Sequence, residues 1–213
     1  MSEFKNKREE MVERQLVSRG ITDERVLDAM LTVPREKFVP ASMTGRAYDD
    51  SALPIGSDQT ISQPYVVALT IEALNPGPEY VILDIGTGSG YAAAVAGKIV
   101  KEVYTIERIE SLANFAKKNL EQAGCDNVHL KHGDGTKGWP EHAPYDGIMA
   151  AAASSDIPDA LKDQLATEGH LVMPVGKGLL GQTLRRYTKK EDGKFKKENL
   201  IPVRFVPLLS GKD

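Results

Sequence analysis

The spacing of hydrophobic residues predicts helices in the first part of the chain. Apolar positions recur at helical intervals over 5–20, then from an N-cap at Thr22 to a stop before Pro34, and again over 65–74. Residues 38–64 lie between the last two helices and hold few periodic positions and many turn-forming residues. A segment of this length without clear elements is often functional, so we expect part of a site there.

From Tyr80 onward, short apolar runs alternate with helical ones. The predicted strands cover 80–86, 102–107, 127–134, 145–152 and 170–176, and the predicted helices cover 91–99, 111–124 and 157–166. This alternation is typical of right-handed βαβ units, which build a doubly wound and mostly parallel sheet. After residue 178 the pattern predicts a hairpin around Asp192 and Gly193, followed by a final strand.

These patterns predict one α/β domain with extra N-terminal helices and an antiparallel C-terminal edge. Its parts are a helical and substrate-binding segment (1–78), a cofactor-binding βαβ core (79–178) and a C-terminal hairpin and strand (179–213). A length of 213 residues suits one sizeable domain better than two small ones.

Composition and charge narrow the class of protein. The hydrophobic share of 41% and the charged share of 27% are ordinary for a soluble protein. We also expect the protein to be a monomer. A net charge of −3 argues against a nucleic-acid partner held by phosphate contacts. The charged start lacks the apolar core of a secretory signal, and no apolar run is long enough for a bilayer. We therefore expect a cytoplasmic protein without a membrane partner.

A glycine-rich turn, "DIGTGSG", follows the first predicted strand of the core. Gly86, Gly88 and Gly90 have the spacing G-x-G-x-G, whereas the dinucleotide fingerprint is G-x-G-x-x-G with a pyrophosphate over the helix N-terminus. Asp84 stands just before the turn, where its charge would oppose a pyrophosphate. The turn suits a cationic ligand without phosphates, and the alternative is a tight turn that binds nothing.

Two further acids follow the next predicted strands. Glu107 ends the second strand, where an acid can bind two ribose hydroxyls, and Asp134 follows the third, where it could bind an adenine amino group. The alternatives are a solvated strand end for Glu107 and a turn-forming residue for Asp134. A cationic adenosine without phosphates describes S-adenosylmethionine.

S-adenosylmethionine is a methyl donor, and the absence of certain motifs limits which chemical groups could accept its methyl group. No Asn/Asp-Pro-Pro-Tyr motif, which serves amino groups, follows the fourth predicted strand, and the single cysteine, Cys125, is not placed as a nucleophile for pyrimidines. The histidines lack a persuasive metal-ligand spacing, so we expect no metal. A carboxylate acceptor fits, because carboxyl groups with a pKa near 4 are already ionised and need no strong base. Catalysis would then rest on orientation and the exclusion of water.

Several longer motifs occur along the chain in addition to the alternating strands and helices. They are "PREKFVP", "LPIGSDQTISQP", "LDIGTGSGY", "DGTKGWPEHAPYDGI", "GHLVMPVG" and "IPVRFVPL". With them the chain resembles the protein-L-isoaspartate O-methyltransferases, a family of Rossmann-like class I methyltransferases, from the first helix nearly to the C-terminus. The "QTISQP" segment together with the "PVRFVPL" motif is specific among methyltransferases.

The resemblance implies a repair reaction on damaged proteins and peptides. These enzymes, protein-L-isoaspartate(D-aspartate) O-methyltransferases, methylate the free α-carboxylate of L-isoaspartyl residues, which arise when Asn deamidates or Asp dehydrates. The ester closes to a succinimide, and hydrolysis returns part of the chains to aspartate. The implied methyl donor is S-adenosyl-L-methionine, the product is S-adenosyl-L-homocysteine, and no metal takes part.

The resemblance also implies roles for particular residues. Ser62 matches the active-site serine and would hold the acceptor carboxylate. The alternative for Ser62 is the N-cap of the helix that begins near Pro64, and the two roles are compatible. The implied cofactor-binding residues are Asp84, Gly86, Thr87, Gly88, Gly90, Glu107, Arg108, Asp134 and Gly135. The implied substrate-binding residues are Ile55, Gly56, Ser57, Asp58, Thr60, Ile61 and Leu209.

Other functions stay open at this point. One alternative is a methyltransferase that acts on RNA or a small carboxylic acid, and another is a non-catalytic cofactor-binding module. A dehydrogenase is disfavoured by the glycine spacing and by Asp84. The chain also departs from the family at Ser57 and Asp58 and in "AAAASS" after the fourth strand, which affects the expected shape of the peptide pocket.

Overall fold

The first third of the chain forms helices and one short hairpin, in a computed structural model that describes residues 3–176 and 181–213. Its regular elements are α1 (Glu3–Met11), α2 (Glu24–Thr32), β1 (Leu53–Gly56), β2 (Gln59–Ile61) and α3 (Pro64–Leu74). The predicted first helix continues beyond α1 as a π-helical turn over Val12–Leu16 and a 3-10 turn over Val17–Arg19. Gly20 ends it at φ 92°, a left-handed conformation that suits glycine.

The N-cap of α2 is Asp23, so the prediction of Thr22 was wrong by one residue. The Asp23 side chain accepts a hydrogen bond from the Arg25 backbone N–H at 2.9 Å. The Thr22 N–H instead donates to Glu72 Oε1 of α3 at 2.7 Å. This contact spans distant parts of the chain, which a local capping pattern does not reveal.

Residues 38–64, where the sequence pattern predicts no clear elements, contain short helices and strands. Two 3-10 helices, Arg35–Phe38 and Ala41–Arg46, precede an antiparallel hairpin formed by β1 and β2. The strands of the hairpin have four and three residues. Elements this short leave almost no periodic signal, which explains why the sequence pattern did not predict them.

A seven-stranded sheet forms the centre of the described chain. Its strands are β3 (Val81–Ile85), β4 (Glu102–Glu107), β5 (Val128–His132), β6 (Tyr145–Ala150), β7 (Leu165–Val175), β8 (Gln182–Lys189) and β9 (Phe195–Val203). Their order is β5-β4-β3-β6-β7-β8-β9, parallel from β5 to β7 and antiparallel at the β8 and β9 edge. The remaining helices are α4 (Tyr91–Gly97), α5 (Glu110–Ala123) and α6 (Asp159–Gln164).

Strand β3 lies at the point where the strand order reverses, with β4 on one side and β6 on the other. Successive side chains of a strand point to opposite faces, and Ile82 packs in the layer that holds the N-terminal helices while Leu83 packs in the layer that holds α6. The sheet is therefore covered on both faces, as expected of the doubly wound sheet that the alternation of strands and helices predicted. In such sheets, ligands bind at the carboxyl ends of the strands near this reversal.

The structure changes two details near the C-terminus. Strand β7 begins at Leu165 rather than residue 170, because residues 166–169 form a bulge with Glu168 at φ 60°, and α6 is correspondingly short. The predicted hairpin is present, but β9 runs on to Val203, so the described residues contain no separate final strand. Pro207 instead forms an isolated bridge with Ala153. The expected boundary between 178 and 179 lies outside the described residues.

None of the helices in residues 3–176 and 181–213 combines the length and apolar character that a membrane crossing requires.

Candidate active site

The glycine turn is closed by its own hydrogen bonds. Gly86, Gly88 and Gly90 adopt φ values of 89°, 57° and 89°, which explains why glycine occupies each position. The Gly86 and Thr87 N–H groups donate to a β4 carbonyl at 2.9 and 3.2 Å, and the Gly88 N–H donates to Glu107 Oε2 at 2.8 Å. These donors, which a pyrophosphate would need, are therefore already used.

A cleft of about 970 Å³ opens beside this turn at the carboxyl ends of β3 and β4. The predicted site residues that line it are Asp58, Thr60, Ser62, Gly86, Gly88, Glu107, Arg108, Gly135 and Leu209. The structure thus brings residues 58–62, for which the resemblance implies acceptor binding (the acceptor segment), to the same space as the glycine turn, the end of β4, the turn after β5 and residues 201–209. A cleft of this size is typical of a small-molecule site.

The two acids after β4 and β5 are held by backbone donors. Glu107 is 5% exposed and lines the cleft, and its Oε1 accepts the Ile109 N–H at 3.0 Å. Asp134 is not among the lining residues, and its Oδ1 accepts the Thr136 N–H at 2.9 Å while its Oδ2 accepts the Gly211 N–H at 2.9 Å. Burial raises the pKa of Asp134, but hydrogen bonds from Thr136 and Gly211 outweigh it and lower the pKa overall.

Asp84 lies under the turn rather than in the cleft. It is 2% exposed and accepts a hydrogen bond from Thr105 Oγ1 at 2.8 Å. Burial raises its pKa to about 7, and the nearby charge of Glu107 acts in the same direction. Asp84 borders a small cavity of about 30 Å³ whose wall also includes Ser62.

Several other predicted residues support the cleft without lining it. The Thr87 hydroxyl lies 2.6 Å from that of Thr105, and Gly90 begins α4 as its N-cap. In the hairpin, Ile55 and Ile61 are buried, and a Cβ placed on Gly88 would lie 3.4 Å from Ile55 Cδ1.

The tip of the hairpin reaches α5. The Ser57 hydroxyl lies 3.0 Å from that of Ser111, next to Gly56 at φ 99°. The β1–β2 hairpin therefore packs over the glycine turn and contacts the start of α5.

Ser62 does not cap a helix. The N-cap of α3 is Gln63, its side chain makes no capping bond, and Pro64 occupies the first turn. Ser62 precedes this cap and lines the cleft, and its hydroxyl has no hydrogen-bond partner among the described residues. The alternative role as an N-cap is therefore wrong.

The sequence did not reveal a polar cluster at the rim of the cleft. Arg19 Nη1 donates to both carboxylate oxygens of Asp50 at 3.1 and 3.0 Å, and its guanidinium lies 3.9 Å from the centre of the Tyr65 ring. Gln63 Nε2 donates to the same carboxylate at 2.7 Å. No local motif marks Arg19 or Asp50, because they meet only in the folded chain.

The C-terminal segment forms another wall of the cleft, at the position where the sequence predicted Leu209 and its neighbours to border the site. Residues 201–209 line the cleft, and the Leu208 N–H donates to the Ala153 carbonyl at 2.7 Å. Arg108, the residue after β4, pairs with Asp213 at 2.6 Å. In the described ranges there is no cluster of three or more His, Cys, Asp or Glu residues that could hold a metal ion.

Comparison with known proteins places this chain in a family. A family model described as protein-L-isoaspartate(D-aspartate) O-methyltransferase matches residues 6–213. The chain belongs to this family. A relative from Marinobacter nauticus, named protein-L-isoaspartate O-methyltransferase 2, is 54% identical over 202 residues, which cover 95% of this chain and 92% of the relative.

Solved structures agree with the family assignment. A protein-L-isoaspartate O-methyltransferase matches with a TM-score of 0.85 and 29% identity, over 94% of this chain and 65% of that one. A Plasmodium falciparum structure, described as such a methyltransferase in complex with S-adenosyl-L-homocysteine, matches with a TM-score of 0.81 and 28% identity. That match covers 98% of this chain and 99% of the other.

These matches confirm the class I methyltransferase fold and S-adenosylmethionine as the methyl donor. They also confirm the expected activity, which is carboxyl methylation of isoaspartyl residues in damaged proteins. The alternatives, an RNA methyltransferase among them, are not favoured.

Proposed function

We propose that the cleft carries out this methyl transfer with Ser62 as the residue that binds the acceptor carboxylate. The observation that carries the proposal is a hydroxyl that lines the cleft and has no partner among the described residues. A hydroxyl donates well to an ionised carboxylate. Since no base in the described chain is bonded to the hydroxyl, Ser62 acts by hydrogen bonding and not as a covalent nucleophile.

The cleft residues fit an adenosine-containing donor without phosphates. The turn amides are occupied, and Glu107 presents a carboxylate that still has lone pairs for ribose hydroxyls. Gly135 lines the cleft where a Cβ would lie 2.6 Å from Ile85 Cγ2, so no larger residue fits. We assign Glu107 to the ribose, and Asp134 and Gly135 to the adenine. When bound, S-adenosylmethionine supplies an electrophilic methyl group.

The residues of the cleft orient the acceptor carboxylate and exclude water from the place of methyl transfer. The acceptor carboxylate is ionised near neutral pH, so no residue has to remove a proton from it. Ser62 fixes one end of the acceptor, and apolar residues such as Val66, Phe205 and Leu209 line the cleft around it. The methyl ester that results is a better leaving group than the acid, and the next backbone nitrogen displaces it as methanol when the succinimide closes.

The proposal extends to the oligomeric state, cellular location and binding partners of the chain. The chain acts as a monomeric, single-domain enzyme of the cytoplasm, with segments 1–78, 79–178 and 179–213, and it binds neither nucleic acid nor membrane. A net charge of −3 supports the absence of a nucleic-acid partner.

The first test uses methyl-labelled S-adenosylmethionine and two peptides that differ only in one Asp or isoAsp linkage. We expect base-labile label on the isoAsp peptide alone. Ser62→Ala should lower kcat/KM about 10- to 100-fold, since hydrogen bonds to charged groups contribute about 1.5–3 kcal/mol. Binding of S-adenosylhomocysteine, measured by calorimetry, should stay unchanged.

The matched control is Ser18→Ala, which removes a hydroxyl that bonds the Arg14 carbonyl on the exposed N-terminal helix. Its activity should equal that of the wild type. Full activity of Ser62→Ala would refute the role of Ser62 and leave the cofactor site intact. Label on neither peptide would refute the isoaspartyl carboxylate as the methyl acceptor.

A further inference from the structure

Arg35 is a fully buried charged residue outside the cleft. It lies in the 3-10 helix Arg35–Phe38, and 0% of its surface is exposed. Among the described residues, no carboxylate forms an ion pair with its guanidinium. Removing such a charge from water is costly, and an apolar side chain of similar volume would fill the space without that cost. Packing alone therefore does not account for this residue.

The guanidinium joins three parts of the chain that surround the site. Arg35 Nε donates to the Ala47 carbonyl and Nη2 donates to the Ser62 carbonyl, each at 2.7 Å. Its carbon atom lies 4.8 Å from the ring centre of Tyr91, the residue that follows Gly90 at the start of α4. One rigid group thus contacts the acceptor segment, the chain that leads into the hairpin, and the helix that begins at the glycine turn.

We propose that Arg35 is a positioning residue for methyl transfer, which fixes the backbone of Ser62 at a set place relative to the glycine turn. The inference rests on the proposed role of Ser62. Transfer requires the carboxylate oxygen in line with the methyl group, and a displacement of about 1 Å can slow such a reaction about 100-fold. The Ser62 hydroxyl is carried by a loop, so its position depends on what holds that loop.

The shape of the guanidinium is what the site uses. Its planar fork directs two N–H groups at two carbonyls while its face lies on an aromatic ring, and an ammonium group cannot reproduce that arrangement. Arg35→Lys keeps a basic side chain and much of the volume but removes the fork. This variant therefore tests whether the fork, rather than any basic side chain of similar size, positions Ser62.

The test measures kcat and KM on the isoAsp peptide, per mole of enzyme that binds S-adenosylhomocysteine. We expect Arg35→Lys and Arg35→Gln to lower kcat at least tenfold, with a smaller rise in KM. The dissociation constant of S-adenosylhomocysteine should change less than twofold. Hydrogen exchange should accelerate at least tenfold in residues 59–66 and stay unchanged in α5.

The matched control is Arg8→Lys. Arg8 also bridges elements of the N-terminal region, donating to the Tyr48 hydroxyl at 2.9 Å and to the Leu31 and Thr32 carbonyls at 3.0 and 3.2 Å, but not to Ser62. Arg8→Lys should lower the thermal stability and leave kcat within twofold of the wild-type value. An equal loss of kcat in Arg8→Lys, or a normal kcat in both Arg35 variants, would overturn the proposal.

A double variant connects the two residues. If Arg35 acts through Ser62, adding Arg35→Lys to Ser62→Ala should lower kcat less than twofold further. Full additivity would overturn the positioning role. Labelling of the isoAsp peptide by the wild type tests the proposed function separately, so failure of one does not imply failure of the other.

Discussion

At the scale of single residues, the three acids near the glycine turn differ in the number of hydrogen-bond donors that their carboxylates have. Glu107 accepts two backbone N–H groups, and Asp134 accepts N–H groups from Thr136 and Gly211. Asp84, by contrast, accepts one hydroxyl hydrogen bond from Thr105 and is completely buried. Burial with a single donor favours the neutral form of this carboxyl, and the pKa of Asp84 is raised to about 7.

Asp84 should make stability depend on pH. Because its folded-state pKa is raised, its contribution is fully present below the unfolded pKa near 4 and is lost as pH rises through about 7. Asp84→Asn keeps an acceptor for Thr105 and lacks the charge. Between pH 5.5 and pH 8 its free energy of unfolding should rise by about 2 kcal/mol relative to the wild type.

Urea unfolding at the two pH values measures this difference. Asp163→Asn, at an exposed position, controls for the exchange of a carboxylate for an amide. A difference between Asp84→Asn and wild type that does not vary with pH would mean that Asp84 is not protonated in the folded protein.

At the scale of elements, the β1–β2 hairpin connects the acceptor segment to the glycine turn. Its central turn residues, Ser57 and Asp58, adopt φ values of 50° and 56°, a combination that hairpin turns require and that non-glycine residues rarely adopt. The chain holds them there because Ile55 packs against Gly88 and Ser57 contacts Ser111. The hairpin is therefore kept in place by tertiary contacts despite unfavourable turn residues.

Replacing Asp58 by glycine should stabilise this hairpin. The left-handed conformation costs a non-glycine residue about 1–2 kcal/mol, while glycine loses about 0.5–1 kcal/mol of extra entropy on folding. Asp58→Gly should therefore raise the free energy of unfolding by up to about 1 kcal/mol, or the melting temperature by roughly 2–4 °C. Thermal unfolding measures the change. Asp58→Ala keeps the strain and should show no gain, and an equal gain in both variants would rule out this explanation.

At the scale of the whole molecule, the cleft is assembled from segments that are far apart in the sequence. Its walls come from Arg19, from residues 52–66, from the ends of β3 and β4, and from residues 201–209. The cleft therefore joins segments from the beginning, the middle and the end of the chain. Binding should stabilise the molecule as one unit, because only the folded chain forms the site.

S-adenosylhomocysteine should accordingly raise the melting temperature. At a concentration about 100 times its dissociation constant, binding contributes about 2.7 kcal/mol, which corresponds to roughly 5–10 °C for a chain of this size. Differential scanning fluorimetry measures the shift. NAD at the same concentration should produce none, because the turn amides are occupied by protein acceptors. A shift with NAD would contradict this account of the turn.

The sequence by itself determined the alternation of strands and helices, the glycine turn after β3, and the acid at the end of β4. Periodicity and glycine spacing are local properties, and local patterns fix the type of an element and the residues at its ends. The motif around Ser62 also indicated a segment that lines the cleft, although its hairpin was too short to leave a periodic signal.

Only the tertiary structure decided how these parts meet. It showed that Gln63 rather than Ser62 caps α3, that Asp84 lies beneath the turn, and that Gly211 bonds Asp134. It also brought Arg35 against Ser62 and Tyr91. The surroundings of Asp84, Gly211 and Arg35 depend on contacts between distant positions, which packing selects from many possibilities and which no local spacing encodes. The cap at Gln63 is a local feature of the backbone over residues 63–67, which the serine before the proline did not indicate.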